Sequence, residues 1–218
     1  MLVSGKRVSA YKNFKNIIEQ DSNNINAYLR LGQILREGGN PVKALKIHKS
    51  LLYRKKLNQF DKLELYKNIV LDYYQLDNLI ASLKELDTIL NLDKSNEWAI
   101  SYLIKIYCKM QDWSNAFKYL EKYQKLTNTV DNHKLALYKI QQAKIKIQNN
   151  EFKEARSIID KALNLEQDLA PAYYFLAKTY SEESNIVYEK AIGVQSENSS
   201  SLTNKKEYNQ FLEEAKKI

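Results

Sequence analysis

The side chains able to do chemistry are few and far apart. Cys108 is the single cysteine, and His48 and His133 are the only histidines. One cysteine excludes an intramolecular disulfide and any multi-cysteine zinc or iron–sulfur centre. His133 has no second histidine at ligand spacing. His48 occupies a station of the chain's repeating pattern that is otherwise apolar, and Cys108 reads as a plain helix residue beside Tyr107 and Lys109. The paired carboxylates Glu182–Glu183 and Glu213–Glu214 fall where that pattern is weakest and read as surface charge. No Ser, His and acid join into a triad, so the chain is read as non-catalytic, with no cofactor and no metal.

What remains is a set of cations and rings. Lys105, Lys144 and Lys178 share one station of successive repeats, where the two earlier copies hold Gln33 and Leu71. Neighbouring stations hold Arg36, Lys67, Trp98, Tyr102, Lys109, Tyr174 and Phe175. Ammonium heads set between aromatic faces suit an acidic or aromatic stretch of a partner polypeptide, through charge pairing and stacking. The plainer alternative is that the lysines are solvated and the rings pack on adjacent repeats.

Composition narrows the elements that can carry these groups. The chain has 218 residues, 44% apolar and 28% charged, with 5 Gly and 2 Pro. So little turn punctuation disfavours a β-sandwich or a strand-and-phosphate-loop fold. Formal net charge is +8, and the excess sits in residues 1–60, with 12 Lys/Arg against 3 Asp/Glu. Lys6, Arg7, Lys12, Lys15 and Arg54–Lys55–Lys56 could lie near anionic lipid headgroups, each adding on the order of 1 kcal/mol. They could also meet RNA phosphates, although no nucleic-acid motif accompanies them. A solvated basic face is the plain alternative. No run approaches the roughly 18 apolar residues of a spanning helix. Met1–Ala10 has no apolar core that could serve as an export signal, and the single cysteine points to a reducing compartment, so a cytoplasmic location is the expectation.

The chain repeats itself. Residues 26–52 align with 97–123, giving Tyr28, Leu31–Gly32, Leu35, Ala44, His48, Leu51 against Ile100, Leu103–Ile104, Tyr107, Ala116, Leu120, Tyr123. The frame recurs at Tyr66, Ile69–Val70, Tyr73, Ser82, Leu86 and Ile89, and again at Ala143, Ala155, Ile159 and Ala162. The small markers Ala10, Ala44, Ser82, Ala116 and Ala155 are spaced 34, 38, 34 and 39 apart. Each copy holds two segments with apolar spacing of three and four, the helical spacing. One hairpin cannot bury its own apolar face, so neighbours must stack. Asn40–Pro41, Asp112 before Trp113 and Asn150 before Glu151 read as helix starts.

On these residues the frame resembles the tetratricopeptide repeat over roughly residues 1–180. The resemblance implies an all-α fold, a right-handed superhelical array of antiparallel helix pairs. It implies a half repeat over 1–22 and repeats near 25–61, 63–96, 97–133 and 136–169. A degenerate fifth covers 170–192, with its second helix shortened after Tyr180. A flexible linker over 193–203 and a C-terminal helix over 204–218 follow. The proline that usually closes each repeat is absent, and Lys139 and Lys146 stand where large apolar residues are usual. First helices of such arrays line a concave groove, which places Arg36, Lys67, Trp98, Tyr102, Lys105, Lys109, Lys144, Tyr174 and Lys178 on a partner-binding surface. The lysine–asparagine pattern of the chaperone-tail clamp is not met, since its first stations read Leu29 and Gln33, or Lys67 and Leu71.

Segments 38–52, 112–126 and 152–177 are also similar to the lipopolysaccharide assembly protein B family. That family is a bacterial adaptor on the cytoplasmic face of the inner membrane, coupling the FtsH protease to turnover of the enzyme that commits to lipid A synthesis. The resemblance implies a protein scaffold, with protease and biosynthetic enzyme as partners and a location peripheral to that membrane. The family's membrane anchor has no counterpart at Met1, and its rubredoxin-like zinc module cannot be built from one cysteine. A basic RNA-binding helical repeat is the alternative function.

Overall fold

The computed structural model describes residues 2–54 and 57–197. Among them all regular structure is α-helical: α1 (Leu2–Gln20), α2 (Ile25–Glu37), α3 (Pro41–Leu51), α4 (Gln59–Gln75), α5 (Leu79–Leu92), α6 (Glu97–Lys109), α7 (Trp113–Thr127), α8 (Asn132–Gln148), α9 (Phe152–Leu165) and α10 (Ala170–Glu197). These fall into two compact units, Met1–Asp112 with Lys125–Thr127, and Trp113–Gln124 with Asn128 onward.

In the first unit α2 packs on α3 and α4 on α5, while α3 also packs on α4. The core there joins Leu29, Leu51, Leu65 and Ile69, flanked by Tyr28, Leu45, Tyr66 and Tyr73. In the second unit α8 packs on α9, and α10 lies against both. Its core joins Ala136, Ile140, Ala143, Ile159, Ala162 and Ala172. The markers Ala44, Ser82, Ala116 and Ala155 are wholly buried. Ser82 shows how close the helices come: its hydroxyl donates to the Val70 carbonyl of α4 at 3.1 Å. Ala10, at the head of the series, is only half-buried.

Helix starts are built by polar side chains. Asn24, Asn58, Asn78, Asn96 and Asp131 each accept from the backbone N–H three residues on. Asn40 caps α3 without a side-chain bond, Pro41 sitting in the first turn. The N-cap of α9 is Glu151 and not Asn150. Asn150 is instead the turn residue, at φ 61°.

That turn recurs. Gly39, Asp77, Gln111 and Asn150 all have positive φ. After each, an N–H reaches back to the preceding helix: Asn40 to Leu35, Asn78 to Tyr73, Asp112 to Tyr107 and Glu151 to Lys146, at 2.8–2.9 Å. This closes a helix with a left-handed residue. Glycine and asparagine tolerate that conformation; a glutamine carries its full steric cost. Gln111→Gly is therefore expected to raise stability by about 0.5–1 kcal/mol. The check is a higher urea midpoint at unchanged slope, with a smaller gain for Asn150→Gly.

The last helix departs from the sequence-based expectation. The frame predicts a degenerate fifth repeat over 170–192, its second helix shortened after Tyr180 so that 185–192 match only that helix's end. Instead α10 runs unbroken from Ala170 to Glu197, so 193–197 belong to a helix and not to a linker. No proline or cap interrupts residues 181–192. The extension is also held sideways: Arg156 of α9 bonds Glu183 at 2.7 Å, its guanidinium lies over the Tyr180 ring, and Ile186 packs on Ile147, Phe152 and Ala155. The linker's remaining residues and the helix expected over 204–218 lie outside the described residues.

Candidate partner-binding surface

On α6 the residues Trp98, Tyr102, Lys105 and Lys109 follow at steps of four, three and four, which places them on one helix face. Lys67 and Tyr74 of α4, seven apart, face them. Trp98 stacks on Tyr102 with ring centroids 4.3 Å apart, and Tyr102 meets Tyr74 edge-on at 6.1 Å. Cations sit over these rings: Lys67 is 5.7 Å from the Trp98 centroid, and Lys105 is 5.1 Å from Tyr74 and 5.3 Å from Tyr102. Lys109 lies 4.9 Å from Tyr74 and pairs with Asp77 at 2.6 Å. That bond to Asp77 holds the Lys109 ammonium above the ordinary lysine range.

Beside this strip lies a cavity of about 360 Å³, among whose lining residues are Asn26, Arg30, Phe60, Lys67, Asn68 and Trp98. Its wall is polar and pre-ordered. Arg30 donates to Gln33 at 2.9 Å, Gln33 to Glu37 at 2.8 Å, and Lys67 pairs with Glu64 at 2.8 Å. Phe60 is 70% exposed, so an apolar face of substantial size is on offer without a covering side chain.

Five of the sequence-predicted site residues thus come together: Lys67, Trp98, Tyr102, Lys105 and Lys109. Arg36 belongs to the cavity lining but turns inward. It is 8% exposed, and its guanidinium donates to Asp72 Oδ1 at 2.9 Å and to Asn68 Oδ1 at 3.2 Å. The remaining three belong to the second unit. There Lys144 lies 5.7 Å from the Phe175 centroid, Tyr174 meets Phe175 edge-on at 5.0 Å, and Lys178 pairs with Glu182 of its own helix at 3.4 Å.

Two residues central to the first unit were not singled out from sequence. Tyr74 is one, because a tyrosine among 16 carries no special signal. Asp72 is another: it is fully buried, and its Oδ2 lies 2.5 Å from His48 Nδ1 while Oδ1 takes Arg36. His48 is equally buried, and its Nε2 faces the Leu29 carbonyl at 3.3 Å. Gly32, which the repeat frame includes beside Leu31, makes room for that ring. The available signal was a pair of exceptions, an aspartate inside the apolar run of α4 and a histidine at an apolar station. His133 lies on the surface against Glu166 at 2.7 Å.

Among the described residues no group of three His, Cys, Asp or Glu is placed to hold a metal. No described helix is long and apolar enough to cross a membrane.

No protein-family model matches the chain, and no curated protein matches it. Solved structures do. The chain is similar to the crystal structure of MamA at 20% identity and a TM-score of 0.52, over 77% of this chain and 93% of that one. It is similar to a tetratricopeptide repeat protein from Parabacteroides merdae ATCC 43184 at 16% identity and a TM-score of 0.53, over 100% of this chain and 88% of that one. Helix pairs at a 34-residue period and these likenesses agree: the fold is that of the tetratricopeptide repeat.

Proposed function

We propose that the chain is a non-catalytic interaction scaffold whose first unit holds an acidic, aromatic-containing segment of a partner protein. The cation–aromatic strip on α4 and α6 carries this reading. Lys105 stands over two rings, and Lys67 over a third, beside an open cavity. An acidic side chain would pair with an ammonium already seated on a ring, and an aromatic one would add to the Trp98–Tyr102 stack. The mechanism is recruitment, in which holding one partner near another raises its effective concentration.

The charge reversals Lys67→Glu with Lys105→Glu are expected to weaken capture of a Glu/Phe-rich peptide by at least about tenfold, a loss of about 1.4 kcal/mol. Helicity should stay at the parent value. Unchanged affinity of the double variant would remove the strip from the reading. Salt separates this function from RNA binding, which loses affinity log-linearly as several phosphate counterions are released. A stacked aromatic anchor keeps part of its affinity at high salt. A narrower role, linking a protease to an enzyme of lipopolysaccharide synthesis, is supported by segments 38–52, 112–126 and 152–177 alone. Co-purification of those two partners with the intact chain tests it.

A further inference from the structure

Three helices of the first unit repeat one surface pattern. Val8 and Lys12 on α1 stand at the stations of Val42 and Lys46 on α3, and of Ile80 and Lys84 on α5. A step of four sets the branched residue and the lysine on one side of each helix. Val8 is 56% exposed, Val42 66% and Ile80 67%, and the three lysines are exposed too. The helices are neighbours. Arg7 of α1 donates to the Glu37 carbonyl at 2.8 Å. Val8 and Tyr11 line an open cleft of about 200 Å³ with Ile34, Leu35 and Asn40, and Asn40 is two residues before Val42. Lys49 of α3 lies within electrostatic reach of Glu85 of α5.

The charge on this face is one-sided. No acid occurs in α3, and the single acid of α1, Glu19, pairs with Lys15 at 3.6 Å. On α5 the acids are Glu85, which is half-buried, and Asp87. Among the described residues Lys12, Lys46 and Lys84 form no ion pair, so their ammonium groups face solvent uncompensated. Between them stand aliphatic side chains that no neighbour covers. A strand of RNA would meet the cations, but valine and isoleucine give its bases no stacking face. A bilayer surface uses both kinds of group. Ammonium heads meet lipid phosphates while branched side chains enter the boundary below them.

We propose that α1, α3 and α5 form a docking face for an anionic lipid bilayer, a surface distinct from the cation–aromatic strip on α4 and α6. The lysines supply attraction to the headgroups, and Val8, Val42 and Ile80 supply shallow insertion.

The test sediments the intact chain with vesicles of one-third phosphatidylserine in phosphatidylcholine, and with phosphatidylcholine alone. Partition onto the anionic vesicles is expected to be at least about tenfold stronger. The variant Lys12→Gln, Lys46→Gln, Lys84→Gln should abolish that preference. The variant Val8→Ser, Val42→Ser, Ile80→Ser keeps every cation and should weaken anionic binding at least about threefold. All six positions are exposed, so helicity and the urea midpoint should stay near the parent values. Removing the same charge elsewhere, by Lys122→Gln, Lys125→Gln, Lys153→Gln, should cost less than about threefold. Equal binding to both vesicle types overturns the assignment, as does an equal loss in the two lysine variants. Indifference to the serine variant also overturns it, because a bare cation row then suffices, the result expected for RNA or an acidic protein as occupant.

Discussion

Asp72→Asn is expected to destabilise the chain by about 3–5 kcal/mol, the cost of leaving a buried charge without its partner. Asp72 is fully buried and accepts from Arg36 on one oxygen while His48 sits against the other. The carboxylate thus joins α2, α3 and α4 at one point. An amide of the same shape keeps the volume and loses the charge. It presents an N–H₂ where one of those two donors now bonds. Against a typical total of 5–15 kcal/mol the loss is large. It should appear as a much lower urea midpoint that added salt hardly alters, because buried pairs are weakly screened. The triple change Arg36→Met, His48→Leu, Asp72→Leu removes the network whole and should recover most of the loss. An Asp72→Asn protein within about 1 kcal/mol of the parent would show that the three groups do not act as a unit.

The second large effect comes from adding one methyl group. In Gly32→Ala the new Cβ would meet His48 Nε2 at 2.2 Å, Cε1 at 2.6 Å and Cδ2 at 2.8 Å. The ring cannot swing away cheaply, since Asp72 holds one nitrogen and the Leu29 carbonyl faces the other. Alanine improves intrinsic helix propensity by about 1 kcal/mol. Overpacking costs about 1–3 kcal/mol and each buried bond broken a further 1–3. The overlap wins, for an expected net loss of about 2–4 kcal/mol. The diagnostic is the reversal of sign in a His48→Ala background. There the same Gly32→Ala change should be neutral or stabilising, giving a coupling well outside additive behaviour in a double-mutant cycle. Equal effects in both backgrounds would show that His48 is not what Gly32 accommodates.

These two sites mark the boundary of what sequence reveals. The fold was legible because the stacking of helix pairs demands a small residue at a fixed station. Four of the five markers, Ala44, Ser82, Ala116 and Ala155, are wholly buried where the period places them. The strip on α6 was legible for the same reason, since helical spacing puts Trp98, Tyr102, Lys105 and Lys109 on one face. Arg36 shares that periodicity, yet its guanidinium turns to Asp72. Periodicity gives the direction of a Cβ and not the partner of a long side chain. Asp72 and His48 are 24 positions apart on different helices, so only the three-dimensional contact joins them. The unbroken α10 was hidden because its continuity rests on Arg156 and Phe152 of another helix, not on any signal within residues 181–192.

The recurring left-handed turns have a consequence for how such a chain can change length. Each of the four turns carries its own helix stop, its own positive-φ residue and its own following start within a few positions. A recombination event joining the same turn of two copies would therefore regenerate a complete junction. Gain or loss of one module then leaves every remaining corner chemically whole. What such an event would sever is any tie made between copies, and the buried pair of Arg36 with Asp72 is one.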